Sequence, residues 1–108
     1  MTYIKSDITH AITRMLTLST AHIAKETAQM MDQMYDGKVI PGGHPVSYLC
    51  FDAVEYGYLV WANADDETIK RYPQEIAEAV RLAKANDCTY IRYDCDALTV
   101  EGLPTYDW

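Results

Sequence analysis

VSYLCFDAVEYGYLVWAN, residues 46–63, is the stretch on which the fold turns, because it reads as two apolar strands folded back on each other around Glu55-Tyr56-Gly57. Val, Tyr, Leu, Phe and Trp favour extended backbone, and a short glycine-containing break between two such runs is a hairpin signal. Immediately before it, KVIPGGHP (residues 38–45) carries two prolines and a Gly-Gly pair, the composition of a loop. Further back, Ile23, Thr27, Met30, Met31, Met34 and Tyr35 recur at spacings of three and four, which predicts a helix with Ser19-Thr20 as its hydroxyl cap and Gly37 as its stop. The Met30, Met31, Met34 cluster suits adaptable core packing; the competing use of such a cluster is a promiscuous binding surface. Ala11 to Ser19 alternates as a strand, with Ile12, Arg14, Leu16 and Leu18 on one side and Thr13, Met15, Thr17 and Ser19 on the other. Residues 1–10, MTYIKSDITH, show no period and read as an N-terminal arm.

On the C-terminal side, ADDETIKRY (residues 64–72) is a polar connection. Pro73 suits the first position of a second helix, where its missing N–H costs nothing, and Gln74 and Glu75 suit the first turn. Ile76, Ala77, Val80 and Ala83 form an apolar stripe, with Glu78, Arg81 and Lys84 facing water, and Asn86-Asp87 ends the element. Thr89 to Cys95 is the last strand, with Ile91, Tyr93 and Cys95 on one face and Tyr90, Arg92 and Asp94 on the other. The order strand, helix, strand, strand, helix, strand predicts an α+β domain of the ferredoxin-like, split βαβ type over residues 11–96, a four-stranded antiparallel sheet with two helices on one face. Residues 97–108 follow as an acidic and aromatic tail.

A chain of 108 residues is long enough for one core without disulfides or metal. The apolar runs are too short for a bilayer and the N-terminus has no apolar signal core, so a cytoplasmic protein is expected. Cys50, Cys88 and Cys95 are odd in number and form no C-x-x-C pair, which disfavours a disulfide framework or a zinc ribbon, and Cys50, within an apolar run, is expected to be buried. The net charge of −7 repels phosphate backbones and anionic lipid. The expected partner is a basic host protein or nucleoprotein complex, with no direct nucleic-acid or membrane contact; homodimerisation through an uncovered sheet face or an edge strand is compatible.

Each candidate chemistry has a plainer counterpart. Tyr56, Gly57, Tyr58 and Trp61 loosely resemble the aromatic signature of RNA-recognition motifs, but Val54-Glu55 stands where that signature opens with basic residues. Tyr56, Tyr58 and Trp61 remain the possible ligand face. Asp94 and Asp96 would offer oxygen ligands to a hard cation, yet no calcium-loop spacing is present and solvated acids at a strand end account for them. His10, His22 and His44 are in no ligand spacing, and pairing His44 with Cys50 as base and nucleophile rests on coexistence alone. No catalytic residue, metal site or cofactor is predicted, and a non-enzymatic protein is expected. The acids carry the expectation instead: Asp94, Asp96, Glu101 and Asp107, with Tyr106 and Trp108, form a candidate partner-binding set, since aromatics among charges are typical interface anchors. The alternative for Trp108 is that it folds back and closes the core.

STAHI (residues 19–23), EYGYLV (residues 55–60), the Pro73 helix and above all the ending GLPTYDW (residues 102–108) resemble a domain-of-unknown-function family of small bacterial proteins carried on prophages, plasmids and genomic islands. That resemblance supplies no catalytic residues. It implies a setting in which small acidic proteins act as anti-CRISPR or anti-restriction inhibitors, occupying a nucleic-acid channel of a host defence system. The alternative is an RNA- or small-ligand-binding module using the open sheet face.

Overall fold

The computed structural model describes residues 11–38, Ile40 and residues 43–108. The N-terminal arm, residues 1–10, and Val39, Pro41 and Gly42 of the loop before the hairpin lie outside the described residues. In chain order the elements are β1 (Met15–Ser19), α1 (Lys25–Tyr35), β2 (Phe51–Val54), β3 (Gly57–Trp61), α2 (Asp66–Ile69), α3 (Gln74–Ala85) and β4 (Tyr90–Asp94). All four strands join one sheet in the order β1-β4-β3-β2. No helix among the described residues is long and apolar enough to cross a membrane.

The hairpin forms as its sequence predicts, with Phe51 opposite Val60 and Val54 opposite Gly57. Its glycine has a different purpose from turn-making. Tyr56 takes the left-handed conformation (φ 68°). A Cβ on Gly57 would lie 1.8 Å from the carbonyl oxygen of Tyr93, so glycine is required for β4 to approach β3.

The four-stranded antiparallel, ferredoxin-like sheet is corrected to a mixed one. β4 runs antiparallel to β3 but parallel to β1, from Met15 opposite Tyr90 to Ser19 opposite Asp94. The sequences of the two strands explain which takes the inner place. β4 buries Ile91 and Tyr93 completely and has a neighbour on both sides, whereas β1 leaves Met15 and Thr17 exposed and, among the described residues, pairs along one edge only.

Two further corrections are local. Residues 46–49 do not extend the hairpin, because Pro45–Tyr48 is a single 3-10 turn capped at Leu49. The His44 ring accepts the Val46 N–H at 3.2 Å and the Ser47 hydroxyl donates to the His44 carbonyl at 2.8 Å, local bonds that favour a turn over a ladder. Val46 and Leu49, three residues apart, thereby both face the core. Cys50, whose carbonyl accepts the Trp61 N–H at 3.0 Å at the end of the hairpin, is exposed rather than buried, and all three cysteines are free. The first helix starts at Lys25 because Thr20–His22 forms its own 3-10 turn, capped by the Ser19 hydroxyl oxygen.

α1 and α3 cover one face of the sheet. α1 buries Thr27, Ala28 and Met31, and α3 buries Ile76, Ala77, Ala79, Val80 and Ala83, the predicted stripe with one alanine added. They meet Leu18, Tyr58, Val60, Ile91 and Tyr93 of the sheet, each such large side chain contributing about 1.5–3 kcal/mol by leaving water. The polar connection contains the short α2, absent from the sequence reading; Asp65 caps it by accepting the Thr68 N–H at 2.8 Å.

Candidate partner-binding site

Residues 97–108 are not a loose appendage. The 3-10 turn after β1 leaves the carbonyls of Ala21 and Ile23 free of helical partners, and the tail supplies donors to both. The Tyr106 N–H reaches Ala21 O at 2.9 Å and the Trp108 indole N–H reaches Ile23 O at 2.9 Å. Between them sits His22, only 2% exposed. Its Nδ1 is 2.8 Å from the Pro104 carbonyl and its Nε2 accepts the Val100 N–H at 2.9 Å. A carbonyl only accepts and an amide N–H only donates, so the ring carries its proton on Nδ1 and closes a two-sided clamp on the tail. Val100 and Leu103 add apolar contact with the core. STAHI and GLPTYDW, far apart in the chain, are therefore contact partners.

The pinned tail builds two grooves. The larger, about 610 Å³, lies between the first turns of α3 and the tail and is lined by Gln74, Glu75, Glu78, Gly102, Leu103, Pro104 and Tyr106. The smaller, about 190 Å³, is lined by Ser19, Thr20, Ala21, Cys95, Tyr106 and Trp108, so Tyr106 forms a wall of both. Neither lining contains a lysine or an arginine. One Glu75 oxygen accepts the Thr27 hydroxyl at 2.6 Å, which fixes that carboxylate across the helix pair. Burial pushes the Tyr106 hydroxyl pKa up, and the Glu75 and Glu78 charges push it further, so the phenol is a neutral donor in an acidic surround.

The predicted partner-binding residues are only partly brought together. Tyr106 and Trp108 meet at the smaller groove; Trp108 docks through its N–H but leaves 58% of its surface exposed, so it neither closes the core nor stands free. Glu101 and Asp107 are exposed on the tail. Asp94 and Asp96 are at the C-terminal end of β4, where the Asp94 carboxylate accepts the Asp96 N–H at 2.9 Å and faces Arg92 Nε at 3.6 Å. Donor atoms of Asp94, Cys95 and Asp96 lie within 4.8 Å of one another, but the amide and guanidinium already engage Asp94 as a turn-forming carboxylate. Burial first, and then the Asp96 and Asp94 charges, hold the Cys95 thiol above its ordinary pKa, which disfavours the thiolate a metal or a nucleophilic reaction needs.

The possible ligand face is divided by the strand. Tyr56 is exposed at the hairpin tip, where its hydroxyl pKa is raised first by a hydrogen bond with the Glu55 side chain. Tyr58 points into the core, 8% exposed, donating to Asp32 Oδ1 at 2.6 Å. Trp61 lies on the opposite face, edge-on to Tyr90 with ring centroids 5.8 Å apart. Sequence reasoning missed His22, Glu75 and Glu78; the available signal was that His22 sits inside STAHI, one of the stretches that carried the resemblance.

No curated protein and no solved structure matches the chain. A family described as "Family of unknown function (DUF5983) C-terminal domain" matches residues 15–108, a span that holds every strand and helix above together with both halves of the tail clamp. The chain belongs to the DUF5983 family.

Proposed function

We propose that this chain is a non-enzymatic protein-binding module that presents an acidic, aromatic-walled edge to a basic partner. The observation that carries the reading is the larger groove: His22 and two backbone carbonyls hold the tail so that Glu75, Glu78 and Tyr106 share one concave surface without a cation. Lysine or arginine side chains of a partner fit such a surface, with exposed Glu101 and Asp107 steering the approach. A nucleic-acid-handling protein of a host defence system is the partner class, its basic channel occupied in competition with nucleic acid. The net charge of −7 and the resemblance to proteins of mobile elements support that extension. An RNA- or small-ligand-binding use of the sheet rests on less, because Tyr58 is committed to the core and leaves Trp61 with Tyr90.

The test is a pull-down from host lysate at low and high salt, using the native chain and a variant with Glu78→Lys, Glu101→Lys and Asp107→Lys. A basic nucleic-acid-handling protein retained at low salt, released by salt or added DNA, and lost with the variant is the expected result. Retention indifferent to both salt and charge reversal defeats the reading.

A further inference from the structure

We infer that the sheet face opposite α1 and α3 is the contact surface of a homodimer, with the second copy seated face to face about a two-fold axis running along β3. Across the strands, Met15, Tyr90 and Trp61 form one row, and Thr17, Arg92, Leu59 and Asp52 form the next. These side chains alternate with those facing the helices, and Met15, Leu59, Trp61 and Tyr90 are absent from the apolar cluster that the helices complete. No helix of the described residues covers them; half of the Met15 surface is open to solvent.

Charge placement selects the occupant. Arg92 and Asp52 flank Leu59 on either side in the same row, each one strand away, about 4.8 Å. A two-fold axis along β3 through Leu59 reverses the strand order of the second copy while keeping each row in register. Leu59 then meets Leu59, Trp61 meets Trp61, and each Arg92 stands over Asp52 of the second copy, twice. Arg92 Nε faces Asp94 at 3.6 Å, and among the described residues the remaining guanidinium N–H groups have no second carboxylate, which the other copy would supply. Aligned sheets pack about 10 Å apart and within about 30° of each other, so these central contacts stay in reach despite the twist. An isologous contact of this kind closes on itself and consumes the apolar face, and it leaves the α3–tail groove, on the helix side, open in both copies.

Sedimentation equilibrium of the full chain tests this over a hundredfold concentration range, with circular dichroism as the check on folding. The expected result is a reversible monomer–dimer equilibrium. Leu59→Lys abolishes the dimer, and Arg92→Asp and Asp52→Arg alone each weaken it at least tenfold. The double variant, which swaps the charges in place, recovers most of the lost affinity. A chain that stays monomeric throughout overturns the inference, and so does a dimer untouched by Leu59→Lys. In either case the face is left to residues 1–10 or to another protein. Failure of the double variant to recover overturns the two-fold arrangement even if a dimer forms.

Discussion

The two faces of the sheet are made by the same four strands, and they differ in almost everything that burial controls. On the helix side Tyr58, Val60, Ile91 and Tyr93 are closed off from water; on the other, Leu59, Trp61, Tyr90 and Arg92 alternate with them at every second position and stay partly open. Both faces carry large apolar side chains, so residue type alone does not say which one is finished. The difference comes from the helices, each of which has one apolar stripe and can complete one face only.

Substitutions on the two central strands, β3 and β4, measure the contrast most directly. Ile91→Ala on the covered side should cost about 4 kcal/mol, since the helices cannot collapse into the space, read as a shift in urea midpoint at constant slope. Gly57→Ala should cost about 3 kcal/mol by driving β3 away from the Tyr93 carbonyl, and it disturbs both faces together. Loss of hydrogen-exchange protection on β3 and β4 is its signature; an unchanged midpoint means that the strands do not approach as described.

A pH series sharpens the same contrast. Burial raises the hydroxyl pKa of Tyr58, Tyr72 and Tyr93 above the ordinary 10.0, with the Asp32 bond adding to the effect at Tyr58. The folded state thus holds these protons more tightly than the unfolded chain. The stability of the neutral hydroxyls is fully present below about pH 10 and is lost as pH rises above it. Tyr58→Phe should cost about 1–2 kcal/mol at neutral pH, because Asp32 loses its donor, and should flatten the alkaline decline. An equally steep decline in that variant would assign the effect elsewhere.

Two smaller effects complete the comparison. Tyr93 Oη is buried with no hydrogen-bond partner among the described residues, so Tyr93→Phe should raise stability by up to about 1 kcal/mol. Leu59→Ala on the open side should change it by less than about 1 kcal/mol at concentrations where the chain is monomeric. A loss matching that of Ile91→Ala would mean that the open face is covered within the monomer.

Elements whose pattern is local are legible in the residues alone. The α3 stripe, the hairpin, the alternation of Ile91 and Tyr93 and the acidic bias of the tail all follow from periods and composition that a short window contains. Such patterns fail where neighbouring bonds compete with propensity, as at Pro45–Tyr48, where His44 and Ser47 make a turn out of apolar residues. The strand order is visible only in the folded chain, because β1 and β4 come from opposite ends of the chain and their parallel pairing leaves no periodic trace. The same is true of the site. His22 reads as an isolated imidazole until Val100 and Pro104 arrive from the far end of the chain to occupy both ring nitrogens. Gly57 reads as a turn residue until the Tyr93 carbonyl approaches it. Periodicity reports which side of an element is apolar; what meets that side, or what a polar atom there bonds, is settled only by contacts between distant residues.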